Sequence, residues 1–448
     1  MSPFILKKNL LETWIRKKIG SKPDILTRQQ LGEYQLQKIK ETIGRASANS
    51  PFYRNLLKNF IDMEMSSLTD LQRFPFTTAA HIREQGLQFL CVSQGDICRI
   101  VTLDSSGTTG QAKRIYFTAS DQELTVDFFQ QGMSTMIKPR DRVLILLPGE
   151  RSGSVGELLV RGLKRAGAEP VLHGVVANIM ETLEIIEQEG IDSIVGIPVQ
   201  LLALARYTEY LGKKISLKSV LLSTDHVPDS IIQELRRIWG CQVFEHYGMT
   251  EMGLGGGLDC ESHAGYHLRE ADLYFEIIDE KGQVVPDGQE GEVVFTTLTR
   301  QGMPLIRYRT GDISRFLAKP CSCGTMLKRL ERITKRKGDL VFLNEDHFFT
   351  MADLDEKIFL VPGVLDYTVT VDNLKCVTQV NISVLVLSEP RGDTKLAIYE
   401  GLSKVVAIKG AEQIGQVRIS VAISYCRDAL LPSPVKRRIM ELKEADGK

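Results

Sequence analysis

Residues 104–115 read DSSGTTGQAKRI and follow directly on the apolar run ICRIVTL. Glycines at 107 and 110 let backbone N–H groups face inward, the hydroxyls of Ser105, Ser106, Thr108 and Thr109 add donors, and Lys113 adds a positive charge. A loop of that make-up suits a chain of phosphates. It is not the nucleotide loop GxxxxGK(S/T), because the spacing differs and Arg114 follows the lysine. Surface turns rich in Ser, Thr and Gly share its composition, so its meaning depends on the surrounding chain.

From Val101 to Leu222 short β-branched runs (RVLILLP, EPVLHGVV, DSIVGIP, LKSVLLS) alternate with helical patterns such as SVGELLVRGLKRAG and NIMETLEIIEQEG. That alternation predicts parallel strands joined by crossover helices. On the N-terminal side, Leu31 to Leu90 is helical and polar-faced, broken by a turn-like SPFYR at Ser50–Arg54, and residues 1–95 read as a helical lead-in. On the C-terminal side, ADLYFEIID, GEVVFTTLT and LIRYRTGD, punctuated by Gly282, Pro286 and Gly288, predict a smaller attached sheet. Beyond the basic segment RITKRKGD, the strands VTQVNISVLVL and QVRISVAIS frame a helical pattern from Thr394 to Lys409. The expected fold is a large α/β domain over 1–337 with crossover helices and an attached smaller β sheet, then a small α+β domain over 338–448. No internal repeat or low-complexity tract interrupts it.

A chain of 448 residues can bury a substantial core without disulfide help. Lys+Arg and Asp+Glu both total 56, and no long block of one sign suits a polyanion or an anionic membrane, so a nucleic-acid partner is not expected. The hydrophobic fraction of 43% is ordinary, and no apolar stretch approaches the ~18 residues of a membrane span. The start, MSPFILKKNLLETWIRKKIG, mixes charges into apolar positions at helical spacing and lacks a signal core, which predicts an amphipathic helix of a soluble, cytoplasmic protein. Eight cysteines are too sparse for a disulfide scaffold, so a cluster among them reads as metal-binding or incidental.

Further motifs follow the loop in order: LLSTD at Leu221–Asp225, HYGMTE at His246–Glu251 and YRTGD at Tyr308–Asp312. SSGTTGQAK resembles the phosphate loop (S/T)SGTTGxPK of the adenylate-forming ligases, with Ala112 in place of the proline. HYGMTE is similar to that family's YGxTE segment, and LLSTD stands where the family has its adenine-lining GxE stretch, with different residues. The resemblance covers nearly the whole chain. SPFYR and FPFTT near the start, LTRQGMPLIRYRTGD and the following CSCG resemble the phenylacetate-CoA ligase branch specifically.

This resemblance implies ATP-dependent activation of a carboxylic acid as its acyl-AMP, with pyrophosphate release. A carboxylate is already a nucleophile, so its attack on the α-phosphate needs two anions brought together and the leaving charge stabilised. By resemblance, Ser105, Ser106, Gly107, Thr108, Thr109, Gly110 and Lys113 hold the β- and γ-phosphates of ATP, Thr250 touches the α-phosphate and Glu251 helps hold Mg2+. His246, Tyr247, Gly248 and Met249 lie beside the nucleotide, Ser223 and Asp225 line adenine, and Asp312 accepts from the ribose hydroxyls. Arg336 precedes the interdomain hinge, which falls on Gly338, and the small domain is mobile about it. Lys436 matches the lysine that meets the acyl carboxylate and α-phosphate. Val435 replaces the glycine usual before that lysine, so Lys436 and Arg437 both stand for the role.

The implied acyl acceptor is coenzyme A, and the family default for the acid is an aryl or arylacetic acid. Glu345 stands where the family has a glycine lining the pantetheine channel, which keeps a carrier protein or an amine open as acceptor. A non-catalytic nucleotide-binding regulatory protein is the reading of another class. Ala112, Gly338, Glu345 and Val435 favour it, whereas Lys113, Thr250, Glu251 and Asp312 oppose it. Related ligases suggest a homodimer, and no membrane insertion is expected.

Cys260, His263 and His267 lie in DCESHAGYH, and Cys321 and Cys323 in CSCG. Thiolates plus imidazole match tetrahedral structural zinc. The set is Cys260, one histidine, Cys321 and Cys323. Gly265, Tyr266 and His267 match a glycine–apolar–histidine pattern of the phenylacetate-CoA ligase branch, which favours His267, with His263 as the alternative. His173 and His246 read as structural, His246 bordering the acyl pocket.

Overall fold

The computed structural model describes residues 10–21, 25–60, 62–103, 112–344, 347–374, 377–387, 393–426, 429–431 and 437–442. The chain divides into two compact units. One comprises Met1–Arg140, Gly149–Ala168 and Phe244–Ile333, and the other Asp141–Pro148, Glu169–Val243 and Thr334–Lys448. The boundary expected at 337/338 falls inside the second unit's last segment.

The first unit opens with the helices Leu10–Lys18, Arg28–Asn49 and Pro51–Leu56. The turn expected at SPFYR is helical instead, apart from its serine. Ser50 ends one helix, its N–H reaching Ala46 O, and caps the next by accepting from Tyr53 N. Pro51 takes the first helical position, where a missing N–H costs nothing. Phe52 is buried and stacks on Phe89 with centroids 3.9 Å apart.

The strands Ile97–Leu103 and Lys113–Thr118 form an antiparallel pair in which Leu103 faces Lys113. Residues 104–112 join them, so Lys113 begins the outgoing strand. Thr118 caps the helix Ala119–Met133 in a capping box with Asp121. Asp121 also accepts from Gln301 N (2.8 Å) and Gly302 N (3.1 Å), which ties the helix start to the LTRQGMP segment.

The smaller sheet is present as Leu273–Ile278, Gly291–Thr297 and Tyr308–Ser314, all antiparallel neighbours. Tyr247, Tyr266, Phe295, Tyr308 and Leu330 share one apolar core cluster in this unit.

The second unit holds four parallel strands in the order Ser219–Leu222, Ser193–Gly196, Arg142–Leu146, Glu169–Leu172. The near-continuous apolar runs suit strands buried on both faces. The helix Pro198–Tyr210 is buried almost all round, as expected of a helix inside a core rather than on its surface.

From Val364 on, the strands Val364–Leu374, Val377–Val386, Val417–Tyr425 and Met440–Leu442 form a sheet in the order Val417–Tyr425, Val377–Val386, Val364–Leu374, Met440–Leu442. The helical pattern over Thr394–Lys409 proves to be two helices, Thr394–Leu402 and Val406–Gln413, separated by a turn in which Val405 N bonds Leu402 O. Among the described residues no helix is long and apolar enough to cross a membrane.

Candidate functional site

In the first unit, five polar side chains from three chain segments meet. Lys113, at the start of its strand, forms an ion pair with Glu251. Glu251 sits on the single 3-10 turn Thr250–Met252, which Gly253 ends in a left-handed conformation. Tyr308 donates to Glu251 Oε1 at 3.1 Å. Four residues along the same strand, Asp312 accepts from Tyr247 Oη at 2.9 Å. Tyr247 stacks on Tyr266, with centroids 6.0 Å apart and planes at 25°. Two polar groups thus lie along this strand, Lys113 and Tyr308 on Glu251, and Tyr247 on Asp312.

Local backbone chemistry aims these groups. A Cβ at Gly248 would lie 2.5 Å from Leu254 O and 2.7 Å from His246 Cε1, so HYGMTE requires its glycine. In YRTGD, Gly311 has φ +79°, and the pairing register shifts along this strand. Thr310 donates to Val293 O at 2.7 Å and accepts from Asp312 N at 3.0 Å, which holds the bulged segment and points Asp312 inward.

Glu251 is only 2% exposed. Burial raises its carboxyl pKa, but the charge and hydrogen bond of Lys113 and the Tyr308 hydroxyl outweigh that and hold it below its ordinary value. Arg300 donates to the Glu251 carbonyl at 2.7 Å and lies over the Phe117 ring, 4.6 Å from its centroid. Burial lowers the Arg300 guanidinium to about 10. His246 is lowered to about 4 by burial, which leaves its ring neutral at pH 7, and it packs 6.4 Å from Phe128. Thr250 is partly exposed at the start of the turn, and Met249 packs against this unit's core.

Ser105, Ser106, Gly107, Thr108, Thr109 and Gly110 lie outside the described residues, as do Glu345, Val435 and Lys436. Other candidate residues lie in the second unit. Ser223 is buried just after its strand, its N–H reaching Gly196 O at 3.1 Å. Asp225 accepts from the N–H of His226 through Oδ1 and from the N–H of Arg437 through Oδ2. Arg336 ends the short strand Lys335–Arg336, and Gly338 lies in the 3-10 turn Lys337–Asp339. His173 meets the Thr182 hydroxyl at 3.3 Å.

The first unit also gathers Cys260, His267, Cys321 and Cys323, whose ligand atoms all lie within 4.8 Å of one another. Cys260 Sγ and Cys321 Sγ are 3.7 Å apart, and Cys323 Sγ is 3.4 Å from His267 Nε2. Tetrahedral zinc with ordinary Zn–S and Zn–N bonds has edges of about 3.8 Å (S to S) and about 3.5 Å (S to N). The four donors therefore fit that ion. A hydrogen bond from Cys260, with His267 adding to it, lowers the Cys323 thiol while Cys260 is raised. His263 is outside this group, since its Nδ1 meets Asp259 Oδ2 at 2.6 Å. Arg329 donates to Ala264 O and Lys319 O, bracing the two cysteine-bearing loops.

A family model described as AMP-binding enzyme matches residues 99–299, which include Lys113, Tyr247 and Glu251. Over 343 residues the chain is 29% identical to the phenylacetate-coenzyme A ligase of Aromatoleum evansii, covering 72% of this chain and 74% of that one. The phenylacetate-coenzyme A ligase of Escherichia coli (strain K12) is also 29% identical, over 73% of this chain and 76% of its own. This chain is similar to the phenylacetate-coenzyme A ligases. Its fold is that of 2-hydroxyisobutyryl-CoA ligase, solved in the postadenylation state with 2-HIB-AMP, which superimposes with TM-score 0.79 at 19% identity, over 94% of this chain and 91% of that one.

Two residues of the candidate site carry no signal of their own in the sequence. Tyr308 lies inside YRTGD, but the bulge between it and Asp312 breaks the strand's alternation, so the motif does not announce its bond to Glu251. Arg300 reaches a backbone carbonyl 49 residues away, which no local pattern announces.

Proposed function

We propose that this protein uses ATP to activate a carboxylic acid and then makes its coenzyme A thioester. A carboxylate oxygen attacks the α-phosphorus, the bond from that phosphorus to the bridging oxygen breaks, and pyrophosphate leaves with the electron pair. In the second step the coenzyme A sulfur attacks the acyl carbon, AMP departs, and the thiol proton passes to solvent. The Lys113–Glu251 pair with Tyr308, and Asp312 with Tyr247 on the same strand as Tyr308, carry this reading, because they supply a cation, an ionised carboxylate and a second carboxylate acceptor.

Lys113 and the 105–110 loop bind the β- and γ-phosphates, Thr250 the α-phosphate, and Asp312 the ribose hydroxyls, with Tyr247 holding the aspartate's orientation. Glu251 fits Mg2+ as a single ionised carboxylate, the usual protein share where phosphates and water fill the remaining positions. Bound there, Mg2+ supplies charge neutralisation on the phosphates. Tyr308 and Arg300 keep Glu251 in place. The small domain over 338–448 pivots at Gly338, and Arg336 and Lys436 take the roles that the resemblance gives them. Zinc held by Cys260, His267, Cys321 and Cys323 is structural, since four protein ligands leave no position for substrate.

The substrate class is an aryl or arylacetic acid, which the names of the relatives support. Glu345, where the family has a glycine, gives the alternative acceptor class, a carrier protein or an amine. A panel of carboxylic acids assayed for pyrophosphate release, then offered coenzyme A, a carrier protein or an amine, tests both parts. Release with an aryl acid and a thioester product is the expected result. Release with no thioester but an amide or carrier adduct would move the assignment to the second class.

A further inference from the structure

SPFYR and FPFTT each set one fully buried residue, Tyr53 and Thr77, against the chain just before Tyr308. Tyr53 Oη accepts from Ile306 N at 2.9 Å and lies 3.2 Å from Thr77 Oγ1, which donates to Ile306 O at 2.6 Å. The one proton of the Thr77 hydroxyl is committed to that carbonyl, so Tyr53 is the donor between the two hydroxyls. The hydrogen bonds therefore run in one direction, from the N–H of Ile306 through Tyr53 and Thr77 back to the carbonyl of the same residue. Thr77 also grips the following residues by its backbone: its N–H reaches Arg307 O at 3.1 Å, and its carbonyl accepts from Arg309 N at 2.9 Å. Tyr308 is thus held from both sides.

Arg307 shows why such a grip is needed. Its φ of +47° lies in the left-handed region, which an arginine rarely adopts. Its buried guanidinium is bonded to both oxygens of Glu276 at 3.1 Å and to the carbonyls of Gln72 (2.8 Å) and Phe74 (2.7 Å), and it lies 4.1 Å from the centroid of the Phe76 ring. A strained turn persists where its surroundings over-determine it, and here it directs the next side chain, Tyr308, whose hydroxyl donates to Glu251 Oε1 at 3.1 Å. We infer that Tyr53 and Thr77 are positioning residues: by fixing the chain on either side of Tyr308 they keep its hydroxyl on Glu251 and so keep that carboxylate aimed. The inference rests on the acid-activating reading proposed above, in which Glu251 binds Mg2+.

The test asks whether the two hydroxyls act through Tyr308. Tyr308→Phe removes the bond to Glu251 and is expected to lower kcat for acid-dependent pyrophosphate–ATP exchange by about tenfold, the worth of one hydrogen bond to a charged group. Thr77→Val and Tyr53→Phe, which remove only a hydroxyl's bonding, are expected to lower it by a similar factor with KM for the acid within about twofold, and Thr77→Ser to recover it. Two variants are used so that the test does not depend on one of them folding. Each combined with Tyr308→Phe is expected to be within about twofold of Tyr308→Phe alone, because a shared route is lost only once, whereas independent effects would multiply to about 100-fold. Binding of Mn2+ in the presence of ATP, followed by water proton relaxation, is expected to weaken in the three single variants and no further in the doubles. Unchanged exchange per folded molecule in Thr77→Val and Tyr53→Phe, or effects that multiply with Tyr308→Phe, would make both residues merely part of the core and overturn the inference while leaving acid activation intact. A wild-type protein with no exchange for any acid would remove the acid-activating reading, and this one with it.

Discussion

Glu251 depends on Lys113 more than on any other neighbour described. With the carboxylate 2% exposed, Lys113→Met leaves an ionised group without its cation. Breaking such a pair costs about 3 kcal/mol, read as a lower midpoint in urea unfolding, and removes charge stabilisation that is worth on the order of 100-fold in rate. Adding Glu251→Gln to Lys113→Met restores much of the stability and none of the activity, and a double-mutant cycle measures that coupling. Asp366 behaves in the opposite sense. Burial raises its carboxyl to about 6, against the pull of Arg437 and a backbone hydrogen bond. The folded protein thus holds this proton more tightly than the unfolded chain. Its contribution is complete below the unfolded carboxyl pKa and is lost as pH rises through 6. Asp366→Asn is therefore expected to raise stability by about 1–3 kcal/mol at pH 8 and to change it little at pH 3.5, checked by urea unfolding at both values. At this scale Lys113, Glu251 and Asp312 were legible because their motifs name them. Tyr308 and Arg300 were not, because each is defined by a partner far away in the chain.

Strands were the most legible elements, since the β-branched runs around 142–222 and 273–314 carry their own period and turn signals. The helix boundaries were less so. Ser50 and Pro51 look like a turn, yet Ser50 accepts from Tyr53 N and starts a helix, and only the buried faces of Phe52 and Tyr53 decide between the two. Likewise one apolar pattern over Thr394–Lys409 conceals a break at residues 403–405. The loops carrying Cys260 and the Cys321–Cys323 pair are the elements most dependent on a ligand. Purified protein is expected to contain about one zinc per chain, and Cys321→Ser or chelation to lower the melting temperature by several degrees, as loss of a structural ion does. Metal analysis with no zinc, together with an unshifted melting temperature in Cys321→Ser, would contradict the site.

At the scale of the molecule, the alternating βα texture and the later β-rich stretch sufficed to foresee a large α/β body with smaller sheets. The division into units was less accessible. Residues 141–148 and 169–243 share a core with the segment from Thr334 on, through Trp239, Phe349, Phe359 and Tyr367 among others, and sequence order does not reveal which distant segments pack together. The acyl pocket is hidden for the same reason. What the whole chain does is tested most directly by carboxylate-dependent exchange of labelled pyrophosphate into ATP, measured for the wild type and for Asp312→Ala. The account predicts exchange that requires an acid in the wild type and is nearly abolished in Asp312→Ala. Wild-type protein that binds ATP but catalyses no exchange with any acid, or exchange that survives intact in Asp312→Ala, would contradict it.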